Sequence, residues 1–320
     1  MNAKPQAHAE LPAPLIEAVR HFSDIDKCNE LMVQIKWPGG TIVCPHCGSE
    51  RIGKIETRKM LRCKDCRKQF SYKVKTIFED SPLGLDKWFV AVWCIANAKN
   101  GISSHELGRA LGVTQKSAWF MLHRVRLAMQ TGSFCKPLEG EVESDETFIG
   151  GSMKFMHKSK RGTKPGGRGT VGKVVVQGLL QRTNEDEPRK VRLSIVPNQK
   201  RRTLQWEIKQ NVKRGAVVYT DKLASYESLD SEYVHNMIDH AVSDVEGRLH
   251  TNGIENFWSL LKRMLKGTDV SVAPWRLLRY LDEETFRFNE RKGNDGDRFA
   301  DVIRSAVGKR IQYKELIGEC

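Results

Sequence analysis

A chain of 320 residues is longer than one typical domain and can bury a sizeable core, so we expect two or three structural units. Its 53 lysines and arginines outnumber 39 acidic residues, and the resulting formal charge of +14 favours a polyanionic partner such as nucleic acid. No apolar run approaches the roughly 18 residues that a transmembrane helix needs, and Met1 to Pro14 lacks a secretory pattern, so we expect a cytoplasmic protein without a membrane partner.

An N-terminal helical segment is predicted for residues 15–40, with a break at Ser23-Asp24. Two Cys-x-x-Cys pairs follow it, fifteen residues apart. The four cysteines are Cys44, Cys47, Cys63 and Cys66. Two such turns aim four thiolates at one ion, and four thiolates leave no position open for water. We therefore predict a zinc ribbon over residues 41–76 with one structural zinc ion, and its basic residues either contact DNA phosphates or coat a spacer.

A helix-turn-helix DNA-binding domain is predicted for residues 83–132. Ser103 to Glu106 has the pattern of a capping box, and Gly112 supplies the turn before a longer helix that begins at Thr114. We expect polar side chains on the exposed side of this longer helix to contact DNA. They are Gln115, Lys116 and Arg124. A generic helical bundle has the same periodicity, and the net charge favours the DNA-binding alternative.

A strand with closely spaced carboxylates is predicted from Glu141. Alternation along a strand places Glu143 and Asp145 on one face and Glu146 on the other. Adjacent carboxylates without a basic partner are costly unless a cation lies beside them. The alternative is an exposed edge strand whose acids are solvated.

A cationic loop is predicted for residues 152–173, a segment rich in glycine that contains no acidic residue. The alternative interpretation is a solvated loop. Beside a cluster of carboxylates, such a loop is suited to binding a phosphate backbone. The candidate DNA contacts in it are Lys158, Lys160, Arg161 and Lys164.

Strands and a helix alternate between residues 174 and 221, which indicates an α/β unit with a mixed sheet. Asp221 ends a buried strand, where open α/β sheets place ligands, and its alternative role is to cap a helix predicted from Ala224. Glu255 and Lys262 are nearly two turns apart on a later helix, so they project along one line. A solvated Glu and Lys pair remains the alternative there.

Taken together, Asp145, Asp221 and Glu255 can hold two divalent cations, Mg²⁺ or Mn²⁺, because hard ions prefer oxygen ligands. Two such ions support an in-line displacement at phosphorus. The sequence has no Walker-type nucleotide loop and no evident Ser/His/Asp or Cys/His nucleophile system. A phosphodiester is therefore favoured over ATP as the substrate.

Several motifs carry a family resemblance that spans roughly residues 20–295. Together with the ribbon cysteines they resemble the zinc-ribbon DDE transposases of bacterial insertion sequences, the ISXO-like group. The motifs are Glu143-Ser-Asp-Glu-Thr-Phe-Ile-Gly-Gly151, Tyr219-Thr-Asp221, His250-Thr-Asn-Gly-Ile-Glu-Asn-Phe-Trp-Ser259 and Tyr280-Leu-Asp-Glu-Glu-Thr-Phe-Arg-Phe-Asn289.

The resemblance implies a fold and roles for these residues. It implies a ribonuclease-H-like α/β domain over residues 138–292, with a mixed sheet and flanking helices, after the ribbon and the helix-turn-helix and before a C-terminal tail at 293–320. It also implies that the three acids are the metal-binding catalytic residues and that Lys262 faces DNA. Some members carry Asn in place of the third acid, so Asn252 is an alternative ligand. His250 either supports the site or is a polar residue at the start of the helix.

The implied function is that of an insertion-sequence transposase. Such an enzyme binds the terminal inverted repeats of double-stranded DNA, cleaves a strand and transfers the freed 3′-hydroxyl to target DNA, as a homo-oligomer in the DNA complex. Two alternatives stay open: a domesticated DNA-binding regulator without catalysis, and a structure-specific nuclease on the same fold. Retention of all three acids favours an enzyme over the regulator.

Overall fold

A computed structural model describes most of the chain, and the residues it describes are 11–12, 14–131, 136–150, 173–183, 188–221, 224–226, 229, 232–238, 251–269 and 272–317. The chain divides into two compact units, one of residues 1–131 with 293–320 and one of residues 132–292. None of the described helices combines the length and the apolar character needed to cross a membrane.

The helices of the described residues, in chain order, are α1 (Leu15–Phe22), α2 (Ile25–Lys36), α3 (Leu85–Asn97), α4 (Ser104–Leu111), α5 (Gln115–Ala128), α6 (Arg201–Asn211), α7 (Asn252–Gly267), α8 (Leu277–Asn289), α9 (Asp295–Ser305) and α10 (Tyr313–Ile317). The strands are β1 (Ile52–Ile55), β2 (Met60–Cys63), β3 (Gln69–Phe70), β4 (Glu141–Ile149), β5 (Val174–Gln181), β6 (Lys190–Val196), β7 (Val217–Asp221) and β8 (Val234–Ile238).

The first unit begins with the predicted pair of helices. Asp24 is the N-cap of α2, because its side chain accepts hydrogen bonds from backbone N–H groups of the first turn of that helix. Strands β1, β2 and β3 form a small antiparallel sheet, which is the predicted ribbon.

Helices α4 and α5 follow the predicted boundaries. The Ser103 and Glu106 capping box opens α4, and Gly112 ends it in the left-handed region at φ +62°. The two helices approach closely at Gly108, where a Cβ atom would lie 3.1 Å from the carbonyl oxygen of Val113. Because a larger side chain there would press on the turn, glycine permits the tight packing of α4 on α5.

The core of the first unit includes residues from both ends of the sequence. Phe299 of α9 stacks on Phe22 at a centroid distance of 4.8 Å and packs edge-on against Phe89 at 5.6 Å. All three rings are fully buried. Residues 293–320, predicted as a tail, therefore differ from that expectation in their described part, because apolar burial holds α9 against α3.

The second unit is built on a mixed five-stranded sheet in the order β6-β5-β4-β7-β8. Strand β4 pairs antiparallel with β5 and parallel with β7, so it is the central strand. The alternative of an exposed edge strand for Glu143 and Asp145 is therefore wrong.

Apolar residues fill both faces of this sheet. On one face, Leu204 and Ile208 of α6 pack against the sheet. On the other face, Ile254, Phe257 and Leu261 of α7 pack with α8. An α-helix was predicted from Ala224, but the described residues Ala224–Tyr226 form a 3-10 turn.

Candidate functional site

Asp145 lies half-buried on the central strand, on the face that α7 covers. The indole Nε1 of Trp258 on α7 donates a hydrogen bond to Asp145 Oδ2 at 2.8 Å. Gly178, the partner of Asp145 on β5, makes room for this contact, since a Cβ atom there would lie 2.6 Å from the indole ring. The sheet and α7 therefore fix the orientation of the Asp145 carboxylate together.

Asp221 lies beside Asp145 by strand register. The parallel pairing of β4 with β7 ends at Glu143 and Tyr219, and Asp145 and Asp221 each lie two residues beyond this last pair. Because side chains alternate along a strand and each acid lies two residues beyond a paired residue, the Asp145 and Asp221 side chains point to the same face of the sheet. The carboxyl end of β7 thus carries its acid on the same face of the sheet as Asp145.

Glu255 comes to this place from the first turn of α7. Its backbone is set by the burial of Ile254 on one side, while its own side chain is exposed and accepts a hydrogen bond from Thr251 Oγ1 at 3.2 Å. Burial raises the pKa of Asp145, and the charges of Asp221 and Glu255 raise that pKa further. The three predicted acids are therefore close enough to interact electrostatically.

Glu146 is a fourth acid at this place, and the sequence analysis did not select it. Burial raises the pKa of Glu146 to about 8, and the charges of Asp145 and Asp221 add to this rise. Its carboxylate accepts hydrogen bonds from Gln199 Nε2 at 3.2 Å and from the Tyr226 hydroxyl. Strand alternation correctly placed Glu146 on the opposite face, but its burial depends on α6 and on residues far along the chain.

Glu143 has a basic partner that the sequence analysis did not foresee. Arg182, at the end of β5, donates from Nε to Glu143 Oε1 at 2.7 Å. The expectation of carboxylates without a basic neighbour is therefore wrong at Glu143. Only the antiparallel return of β5 brings the two residues together across 39 positions of sequence.

The residues next to Glu255 lie on the exposed side of α7. Lys262 is exposed two turns farther along the helix, and Asn252 is its exposed first residue. His250 lies outside the described residues, as do Lys158, Lys160, Arg161 and Lys164.

The oxygen donors of this place suit a hard divalent cation, since carboxylates are the ligands that such ions prefer. In the part of the chain that the structure describes, however, one group of His, Cys, Asp or Glu ligand atoms lies mutually within 4.8 Å, and this group is the four ribbon cysteines. Asp145, Asp221 and Glu255 do not form a second group of that closeness.

The four cysteine thiols fit a zinc ion closely. The Sγ atoms of Cys44 and Cys66 are 3.7 Å apart, and those of Cys47 and Cys63 are 3.6 Å apart. A tetrahedral site with zinc–sulfur distances of about 2.3 Å places thiols about 3.8 Å apart. Backbone N–H groups, first that of Cys66, lower the pKa of Cys63 to about 6, which favours the thiolate that binds metal.

The candidate DNA contacts on α5 divide into two kinds. Gln115 and Lys116 are exposed at the start of the helix, where Gln115 Nε2 donates to Ser104 Oγ at 2.8 Å. The predicted exposure of Arg124 is wrong, because only 5% of this residue is accessible. Its guanidinium donates to the carbonyl oxygens of Ile77 and Glu79 at 3.0 and 2.7 Å, so its charge faces the interior of the unit.

Comparison with known proteins gives matches over both units. Residues 137–289 match a family model described as the ISXO2-like transposase domain, and residues 24–69 match a transposase zinc-ribbon domain. An uncharacterized protein in transposable element ISH50 of Halobacterium salinarum is 27% identical over 274 residues, covering 82% of this chain and 90% of that protein. An uncharacterized transposase-like protein of Haemophilus influenzae is 39% identical over 101 residues, covering 31% of this chain and 81% of that protein.

Proposed function

Because the chain belongs to the ISXO2-like transposases and carries their zinc-ribbon domain, we propose that it cleaves and joins DNA strands at the ends of an insertion sequence. The observation that supports this proposal is that Asp221 and Glu255, from a second strand and a helix, act electrostatically on Asp145 of the central strand. The mixed sheet with helices on both faces supports a ribonuclease-H-like domain over residues 138–292.

In this proposal the three carboxylates bind Mg²⁺ or Mn²⁺, two ions per site. Ions held by these carboxylates would supply activation of an attacking oxygen and stabilisation of a leaving oxygen at phosphorus. Asp145 is held for this task by the Trp258 indole, and its pKa is raised first by burial and then by repulsion from the charges of Asp221 and Glu255. A divalent cation offsets that repulsion, which supports a metal site on electrostatic grounds.

The first unit supplies DNA binding in this proposal. The helix-turn-helix presents Gln115 and Lys116 to the inverted repeats, and the ribbon, with one structural zinc, adds basic surface. Lys262, exposed on the helix of Glu255, contacts the DNA near the reacting phosphate. Cutting two ends together requires a homo-oligomer in the DNA complex.

Strand cleavage by an Asp145→Asn variant tests the proposal. The full-length chain is incubated with Mg²⁺ and labelled DNA that carries both ends of the element, and nicked and joined products are separated on a denaturing gel. We expect Asp145→Asn to abolish both products while binding of end DNA stays at the wild-type level. Retained nicking removes Asp145 from the active site, and nicking by the wild type without joined products favours a nuclease.

A further inference from the structure

Helix α7, which carries Glu255, begins without a cap of its own. The side chain of its N-cap residue Thr251 accepts no hydrogen bond from the backbone N–H groups of the first turn, and the Thr251 hydroxyl donates to the Glu255 side chain instead. The first N–H groups of a helix need acceptors from elsewhere when no cap is present. A buried helix start of this kind requires a partner from another element.

Glu143 of β4 supplies that partner across the sheet surface. Its Oε2 atom accepts a hydrogen bond from the backbone N–H of Ile254 at 2.8 Å. The Glu143 residue is only 1% accessible, so the contact is shielded from water. A carboxylate at this position also interacts favourably with the positive end of the helix dipole.

Gly253 leaves the space that this contact needs. A Cβ atom at position 253 would lie 2.7 Å from Glu143 Oε2 and 2.9 Å from Oε1, closer than carbon and oxygen approach in proteins. Any side chain at this position would push the Glu143 carboxylate away from α7. The first turn of the helix is thus shaped around one carboxylate of the strand.

Arg182 holds the other oxygen of the same carboxylate. It donates from Nε to Glu143 Oε1 at 2.7 Å, and its guanidinium stacks over the ring of Tyr219 on β7 at 4.0 Å. Each oxygen of Glu143 therefore has a donor, one from the end of β5 and one from α7. The carboxylate joins β4, β5 and α7 at a single buried point.

We infer that Glu143 is a positioning residue, which sets α7, and with it Glu255, against the strand that carries Asp145. Glu143 lies two residues before Asp145, and the N–H that it accepts from belongs to the residue before Glu255. A change in this contact therefore moves one proposed metal ligand relative to another. This inference rests on the proposed function of the three acids.

The test compares Glu143→Gln and Gly253→Ala with the wild type in the full-length chain. Cleavage of labelled end DNA is measured over a Mg²⁺ titration, beside end-DNA binding and thermal unfolding. We expect both variants to cleave about 10- to 100-fold more slowly at low Mg²⁺ and to need more Mg²⁺ for half-maximal cleavage, since residues that orient metal ligands have effects of this size. Gly253→Ala keeps every charge, so it disturbs the contact without removing the carboxylate that pairs with Arg182.

Glu141→Gln is the matched control. Glu141 also pairs with Arg182, at 3.2 Å, but its side chain is more accessible than that of Glu143. Cleavage by the Glu141→Gln variant should therefore keep the wild-type Mg²⁺ requirement. In the double variant, Glu143→Gln with Gly253→Ala, we expect no more loss than in the stronger single variant, because both changes break one contact.

Two results overturn the inference. One is wild-type cleavage and Mg²⁺ dependence in both variants, and the other is a lower unfolding temperature with an unchanged Mg²⁺ requirement, which indicates a purely structural role. Asp145→Asn separates this inference from the proposed function. If Asp145→Asn is inactive while Glu143→Gln behaves as wild type, the positioning role alone fails, and if Asp145→Asn still cleaves, the proposed function fails.

Discussion

At the scale of single residues, the hydrogen bond between Trp258 and Asp145 is the contact closest to the proposed chemistry. Its donor is an indole N–H, and its acceptor oxygen belongs to a half-buried carboxylate whose pKa is already raised by burial. A bond to the charged form lowers the cost of keeping that charge. Trp258 therefore orients the Asp145 carboxylate and opposes the rise of its pKa.

Trp258→Phe removes this bond and keeps most of the ring. We expect strand cleavage to fall about 10- to 100-fold, because partners that orient a metal ligand carry effects of that size. End-DNA binding should change little, and the free energy of unfolding should fall by about 1–3 kcal/mol because a half-buried acceptor loses its donor. Cleavage of labelled end DNA at a fixed Mg²⁺ concentration measures the effect.

Trp206→Phe is the control for this change, because Trp206 is 57% accessible on α6. It should leave cleavage at the wild-type rate. Equal cleavage by Trp258→Phe and the wild type would show that Asp145 needs no indole donor.

The residue scale also separates what the sequence could predict from what it could not. The spacing of Cys44, Cys47, Cys63 and Cys66 was sufficient for the zinc site, because each pair of ligands lies within one short turn. The pairing of Glu143 with Arg182 was not predictable in the same way. It depends on the register of two antiparallel strands, which local pattern does not determine.

At the scale of elements, α5 shows that a helical pattern can be right while the exposure of one side chain is wrong. The predicted helix is present, but the segment around Ile77 covers its Arg124, whose guanidinium lies 4.4 Å from the Phe120 ring. A charged residue on a predicted outer face was taken as exposed. The carbonyl groups of Ile77 and Glu79 that accept from Arg124 are 47 and 45 residues away in sequence. The periodicity of α5 could therefore not indicate them.

The two basic residues of α5 should therefore behave differently on substitution. Lys116→Ala should weaken end-DNA binding and reduce the salt dependence of the binding constant by about one phosphate contact. Arg124→Ala should instead lower the free energy of unfolding by about 1–3 kcal/mol, because two carbonyl groups lose their donor. Fluorescence anisotropy at several salt concentrations and urea unfolding measure the two effects.

A reversed outcome would contradict this division of roles. If Arg124→Ala left the stability unchanged and reduced the salt slope, its guanidinium would be a DNA contact after all. Gln115→Ala serves as an uncharged comparison on the same turn, with an unchanged salt slope.

At the scale of the whole molecule, the chain builds its first unit from two separate stretches of sequence. Residues 1–131 and 293–320 belong to one unit, and residues 132–292 form the other. The sequence suggested a tail at 293–320 because the acidic start of α9 gives little sign of burial. The buried positions of α9 become evident only beside the aromatic residues of α1 and α3, as at Phe299.

Phe299→Ala should lower the free energy of unfolding of the first unit by about 3–5 kcal/mol, because it leaves a cavity among buried rings. Urea unfolding followed by tryptophan fluorescence measures the change, with Trp93 at 5.6 Å from the Phe299 ring as a nearby reporter. Arg304→Ala, on the exposed side of the same helix, should cost less than about 1 kcal/mol. Equal stability of the two variants would mean that α9 contributes little to this unit.

The discontinuity of the first unit also fixes an order of events during translation. At about 5–20 residues per second, a ribosome needs on the order of 10–30 s to make residues 132–292 after α5 has been made. Throughout that interval the rings of Phe22 and Phe89 cannot pack against Phe299. The nascent chain therefore exposes apolar surface that chaperones can bind. The first unit, which we expect to recognise the element's ends, therefore completes its fold last. A polypeptide released before α9 is made would keep an incompletely folded DNA-binding unit.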